Sequence, residues 1–139
     1  MGQKFLADTT FIIDLLREHR RGKLGPASHA LALSPESHIF LSIISIGELE
    51  EGFAAHGFTN SEILLKPFQL LYLSQRSAKI YGEESARMRA KGDRIGDNDL
   101  WIASSAKEHE LSVLTANVQH FSRVSGLDVV DYTNVPSRS

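Results

Sequence analysis

No cysteine occurs in the 139 residues. Disulfides, zinc–thiolate centres and cysteine nucleophiles are therefore excluded. Repeats, linkers and low-complexity stretches are also missing. The longest apolar runs are far too short to span a bilayer. The opening Met-Gly-Gln-Lys-Phe-Leu-Ala-Asp has no apolar signal region, so a cytoplasmic protein without membrane contact is expected. An excess of positive charge is lacking too. The formal net charge is −2, which argues against a broadly basic nucleic-acid binder but leaves room for local patches. What remains is ordinary globular material, 42% apolar and 23% charged, enough for a full core in one domain. Residues 1–132 are expected to form that domain and 133–139 a polar C-terminal tail.

The most informative stretch is Arg94-Ile95-Gly96-Asp97-Asn98-Asp99-Leu100-Trp101-Ile102-Ala103. After Gly96 the apolar residues Leu100, Ile102, Ala103 and Ala106 recur at helical spacing. Asp99 falls in the first turn, on the face carrying Ile102, Ala103 and Ala106. An acid at the head of a buried face is a functional candidate, although the helix dipole alone also favours an acid there. Asp97 is expected to cap the same helix.

Short strands are expected at Lys4–Ala7, His38–Ile43, Leu71–Leu73, Ser112–Leu114 and Val129–Val130. Helices are expected after Thr9 and Thr10, over residues 26–34, from Ser45, over 62–71, over 74–91 and to about Glu110, with a short helix or turn at 117–123. The core stripe of the 74–91 helix reads Ala78, Tyr81, Ser85 and Met88. This alternation predicts an α/β protein, a three-layer α/β/α sandwich around a mostly parallel sheet of four to five strands. In such sheets the crevice lies at the carboxyl ends of the strands. Asp8 and Thr115 sit at such ends, Glu48 follows one closely, and Asp99 heads the helix leading into another.

Two like charges about 4 Å apart repel by roughly 4 kcal/mol at an effective dielectric of about 20. Three crowded carboxylates therefore call for a cation, and an all-oxygen set without cysteine selects Mg²⁺ or Mn²⁺. Asp8, Glu48 and Asp99 are the candidate ligands and catalytic residues, and metal-assisted phosphodiester hydrolysis is the chemistry that suits them. Each also has a structural reading. Asp8 can cap the first helix, and Ser45-Ile46-Gly47-Glu48 fits a capping box. Arg87, Arg89, Lys91 and Arg94 are candidate RNA-phosphate contacts; as helix-face cations they have a purely solvated reading as well. The six histidines show no metal spacing and are expected at the surface, while Trp101 and Phe121 are expected to pack. Leu15, Leu16, Phe53 and Phe58 belong to the core or to an apolar groove for a partner helix.

Four motifs together resemble PIN domains of the VapC toxin type. They are Ala7-Asp8-Thr9-Thr10-Phe11-Ile12-Ile13-Asp14, Ile43-Ile44-Ser45-Ile46-Gly47-Glu48-Leu49, Ile95-Gly96-Asp97-Asn98-Asp99-Leu100-Trp101-Ile102-Ala103 and Val113-Leu114-Thr115-Ala116-Asn117-Val118-Gln119-His120-Phe121. The residues 124–132 are similar to the end of such toxins. The resemblance implies a Mg²⁺- or Mn²⁺-dependent endoribonuclease that cuts tRNA or rRNA and inhibits translation. It implies a homodimer and a VapB-type antitoxin. It carries the family's first three acids onto Asp8, Glu48 and Asp99, with Thr9 and Thr115 in support. The family often has a fourth acid two residues after the threonine or just before the phenylalanine; Asn117 and His120 stand there instead. The metal count is thus open, with Asn117 able to hold a metal-bound water and Asp97 as the acid at hand to restore the charge. A PIN-like module that binds RNA or protein without catalysis is the competing reading. A phospho-accepting receiver domain fits poorly, because the strand ending Ser42-Ile43-Ile44-Ser45 offers no acid to phosphorylate.

Overall fold

The computed structural model describes residues 3–33, 38–56 and 65–134. The elements in chain order are β1 (Lys4–Ala7), α1 (Thr9–Arg21), α2 (Pro26–Leu33), β2 (His38–Ser42), α3 (Ile43–His56), β3 (Gln69–Leu71), α4 (Gln75–Lys91), α5 (Asp97–Glu108), β4 (Ser112–Thr115), α6 (Val118–Phe121) and β5 (Val129–Asp131), followed by a 3₁₀ turn at Tyr132–Asn134.

The five strands are all parallel, in the order β3-β2-β1-β4-β5. Strand side chains alternate between faces. Phe5 and Ala7 accordingly join one core with Phe11 and Ile12 of α1 and with Leu49 and Phe53 of α3. Leu6 and Val113 join a second core with Met88 of α4, with Leu100, Ile102 and Ala103 of α5, and with Phe121 of α6. Both sheet faces are therefore covered, as a parallel sheet requires. The order of the strands reverses direction between β1 and β4, and that reversal opens the crevice where such folds bind ligands. Ala7 pairs with Leu114 there, and the Asp8 amide donates to the Leu114 carbonyl at 3.1 Å.

The expected α/β/α sandwich is thus observed, with local differences. The strand expected at 71–73 lies at Gln69–Leu71, and the part of the expected 62–71 helix before Leu65 falls outside the described residues, as does Phe58. Helix α3 begins at Ile43, with the Ser42 hydroxyl accepting from the Ile44 amide at 3.1 Å, so Ser45 and Glu48 form no capping box. Asp97 is the first helical residue of α5; Gly96 occupies the cap position without a side-chain bond. Thr133 and Asn134 are tied to Asp131 in the 3₁₀ turn, and residues 135–139 lie outside the described set.

The core stripe of α4 differs most. Ser77 replaces Ala78 as its first buried residue, because it closes a capping box with Ser74. The stripe also takes in Glu84, which is 6% exposed. Its carboxylate accepts from Arg87 at 2.9 Å and from the Ser125 amide at 2.8 Å, with Lys107 at 3.7 Å. Burial opposes the charge, but these partners outweigh it and hold the pKa down to about 2. Glu84 therefore ties α4 to the turn before β5. Its folded pKa lies below the ordinary glutamate value of 4.5, so its contribution is complete above about 4.5 and is lost as pH falls toward about 2. Glu84→Ala should lower the unfolding free energy by about 3 kcal/mol in urea titration and flatten that acid limb of the stability profile.

Candidate active site

Asp8 is the first residue beyond β1 and the N-cap of α1. Its side chain is buried and fully engaged on one side. Oδ1 accepts from the Thr10 hydroxyl at 2.7 Å and the Phe11 amide at 3.0 Å, and Oδ2 accepts from the Thr115 hydroxyl at 2.6 Å. Burial pushes the Asp8 pKa upward; these donors oppose that rise and the nearby charge of Asp99 adds to it. The two acids therefore share one electrostatic environment. Besides capping α1, Asp8 is reached by Thr115, at the end of β4, across the strand-order reversal.

Successive helical residues point about 100° apart. The first turn of α5 uses that divergence to give three side chains three partners. Asp97 meets Arg94 at 2.6 Å. The Asn98 amide donates to Glu48 Oε2 at 3.2 Å. Asp99 Oδ2 lies 3.1 Å from His120 Nδ1. Glu48, from α3, also accepts a hydrogen bond from Thr9 through Oε1. Glu48 is thus bonded to the chain neighbours of Asp8 and Asp99, and Asp8 to Thr115 at the end of β4.

The donor set suits a hard divalent cation in kind: carboxylate oxygens with lone pairs left open, one on Asp8 Oδ2 and those of Asp99 Oδ1. Its spacing is looser. Among the described residues no three His, Cys, Asp or Glu side chains are gathered closely enough to ligate one ion. Protein donors hold each acid instead, as mutual repulsion among unneutralised carboxylates favours.

The remaining sequence candidates divide. Asp97 is 70% exposed, and the Arg94 hydrogen bond, its charge and Tyr81 lower its pKa. Arg94 is 16% exposed and also bonds Ser85 at 2.8 Å, the Tyr81 hydroxyl at 2.7 Å and the Ile95 carbonyl at 3.1 Å, with Tyr81 stacked on Trp101. It fastens α5 to α4. Arg87 is committed to Glu84 and the Arg123 carbonyl. Arg89 and Lys91 are exposed on the same helix. Asn117 donates its backbone amide to Thr115 at 2.8 Å, while its side chain makes no cap bond.

His120 and Asn98 were not singled out for these contacts in the sequence. His120 is half-buried against Asp99 rather than a plain surface histidine. Behind Asp8, the buried Tyr132 donates to Asp14, a second contact without a sequence signal.

The PIN domain family model matches residues 5–127. The chain belongs to the PIN domain family. The ribonuclease VapC1 of Haemophilus influenzae strain R2866 is 31% identical over 134 residues, covering 93% of this chain and 98% of the relative. This PIN domain is also similar to the structure of VapBC-1 from nontypeable Haemophilus influenzae, with a TM-score of 0.74, 28% identity and coverage of 95% of this chain and 100% of that one. A DNA-bound VapBC structure from Salmonella typhimurium, at 23% identity and a TM-score of 0.81 over 94% of this chain and 98% of that one, supports the fold. PIN-domain ribonucleases generally use divalent metal ions. No helix among the described residues is long and apolar enough to cross a membrane.

The raised pKa of Asp8 has a consequence for stability. A buried acid whose folded pKa exceeds its unfolded value weakens the fold when ionised. Asparagine keeps the cap acceptor and removes the charge. Asp8→Asn should therefore melt no lower than wild type by calorimetry at neutral pH, whatever it does to activity.

Proposed function

We propose that this PIN domain, residues 1–132, is a VapC-type toxin: a Mg²⁺- or Mn²⁺-dependent endoribonuclease that cuts tRNA or rRNA, inhibits translation, acts as a homodimer in the cytoplasm and is held in check by a VapB-type antitoxin. The observation that carries the reading is the buried Asp8, fixed by three donors at the strand-order reversal and electrostatically coupled to Asp99. The VapC name of a relative at 31% identity over nearly its whole length supports it.

Asp8, Asp99 and Glu48 would hold the cation, directly or through water, as their loose spacing requires. When bound, it supplies positive charge to the phosphoryl oxygens and favours ionisation of an attacking water. Hydrolysis adds that water across the P–O3′ bond, leaving a 5′-phosphate and a 3′-hydroxyl. Thr115 and Thr10 keep Asp8 oriented, and Thr9 orients Glu48. Asp97 is assigned to Arg94 rather than to the cation, because its carboxylate is already neutralised there. Arg89 and Lys91 are better RNA contacts than Arg87 and Arg94, whose guanidinium groups are committed within the fold.

Cleavage of a tRNA and rRNA pool should be lost in Asp8→Asn and in Asp99→Asn with the circular dichroism spectrum unchanged. It should stop in EDTA and resume with Mg²⁺ or Mn²⁺. Cleavage retained in either variant, or in EDTA, overturns the reading; no metal-dependent cleavage of the pool by the wild type favours a non-catalytic binding module.

A groove of about 280 Å³ between α1 and α3, lined by Ile13, Leu16, Leu49 and Phe53, has Arg17, Arg20 and Glu48 among its walls. It contains the expected apolar residues Leu16 and Phe53 and is assigned to the antitoxin. Ile13, 39% exposed, is its accessible apolar wall. Ile13→Asp should abolish co-purification with the antitoxin while leaving RNA cleavage within about twofold, since a charge there opposes burial against an apolar partner.

A further inference from the structure

Glu48, like Asp99, receives no bond from its own helix among those described. Asp8 is locked by its cap geometry, and Asp99 is fixed near the start of α5 and faces His120. Glu48 projects from the middle of α3 on a longer side chain, where rotamer freedom would otherwise blur its position. Both of its oxygens are nevertheless held. Thr9, the chain neighbour of Asp8, donates to Oε1, and Asn98, the chain neighbour of Asp99, donates to Oε2 at 3.2 Å. The residues next to the two aspartates therefore set where the glutamate stands relative to both.

The chemical type of these donors matters as much as their placement. A hydroxyl and a carboxamide orient a carboxylate without cancelling its charge, whereas Arg94 cancels that of Asp97 in the same helical turn. The first turn of α5 thus treats two acids oppositely: one is neutralised, and the other is oriented with its charge intact.

We infer that Asn98 is a positioning residue that fixes Glu48 through a hydrogen bond so that its charged carboxylate is preset for the cation. This rests on the metal-dependent reading of the site given above. Asn98 does not touch the cation or the RNA; it acts through Glu48.

The test uses the full chain, freed of partner, and Mn²⁺ alone, with binding followed by loss of the free-ion paramagnetic resonance signal. Asn98→Ala should weaken Mn²⁺ binding by about tenfold, as loss of an orienting outer contact does, with the melting midpoint unchanged because Asn98 is exposed. Asn98→Gln, which keeps the amide donor, should recover part of that loss. In RNA cleavage, Asn98→Ala should raise the Mn²⁺ concentration for half-maximal rate by a similar factor and leave the rate at saturating Mn²⁺ within about twofold. In a Glu48→Gln background the same substitution should have no further effect on Mn²⁺ binding. Unchanged binding in Asn98→Ala, or an undiminished effect in the Glu48→Gln background, overturns the inference. Binding is read without RNA, so a wild type that binds Mn²⁺ normally but cleaves no RNA counts against the ribonuclease reading alone. A wild type that fails to bind Mn²⁺ overturns both.

Discussion

The hydrogen bond from Thr115 to Asp8 is the constraint on which the site depends. It is buried, 2.6 Å long, and joins residues 107 positions apart. One partner directly follows β1 and the other ends β4, the two strands that flank the reversal of strand order. The same carboxylate caps α1, so a single side chain fixes a helix start, a strand end and the floor of the crevice. Its ionised form is disfavoured by burial. The fold thus buries an acid whose ionisation is opposed, at the strand-order reversal where such folds bind ligands.

Around that floor, the side chains sort by whether they cancel charge or orient it. Arg94 cancels Asp97 and ties α5 to α4. Glu84 is surrounded by Arg87, Lys107 and Ser125 and acts as a structural anchor away from the crevice. The carboxylates of Asp8 and Glu48 instead accept from hydroxyls and amides. These uncharged donors hold position without cancelling the carboxylates' charge.

Much of this was legible in the sequence because it follows from periodicity and position. The alternation of strands and helices predicted the parallel sheet, and the buried face of α5 pointed to Asp99. Asp8 and Thr115 lie at strand ends, as their positions in the strand pattern led one to expect, and Glu48 lies on the helix that follows β2. The contacts of Asn98 and His120 were not legible, since they depend on how far α5 rotates against α3 and α6. Asp97 was misread as a cap for a related reason: a nearby arginine with better geometry took its carboxylate. In α4, Ser85 and Met88 are buried as the pattern predicted, but Glu84 is buried with them once Arg87, Lys107 and Ser125 satisfy its charge; hydrophobic patterning has no means of counting a residue of that kind.

The order of assembly along the chain has a consequence for synthesis. Asp8, Glu48 and Asp99 are all translated before Thr115, yet the crevice floor exists only once β4 has paired beside β1. A ribosome that has made the three acids still holds a chain without an organised centre. Whatever this crevice does must therefore wait until β4 has been made and has paired beside β1.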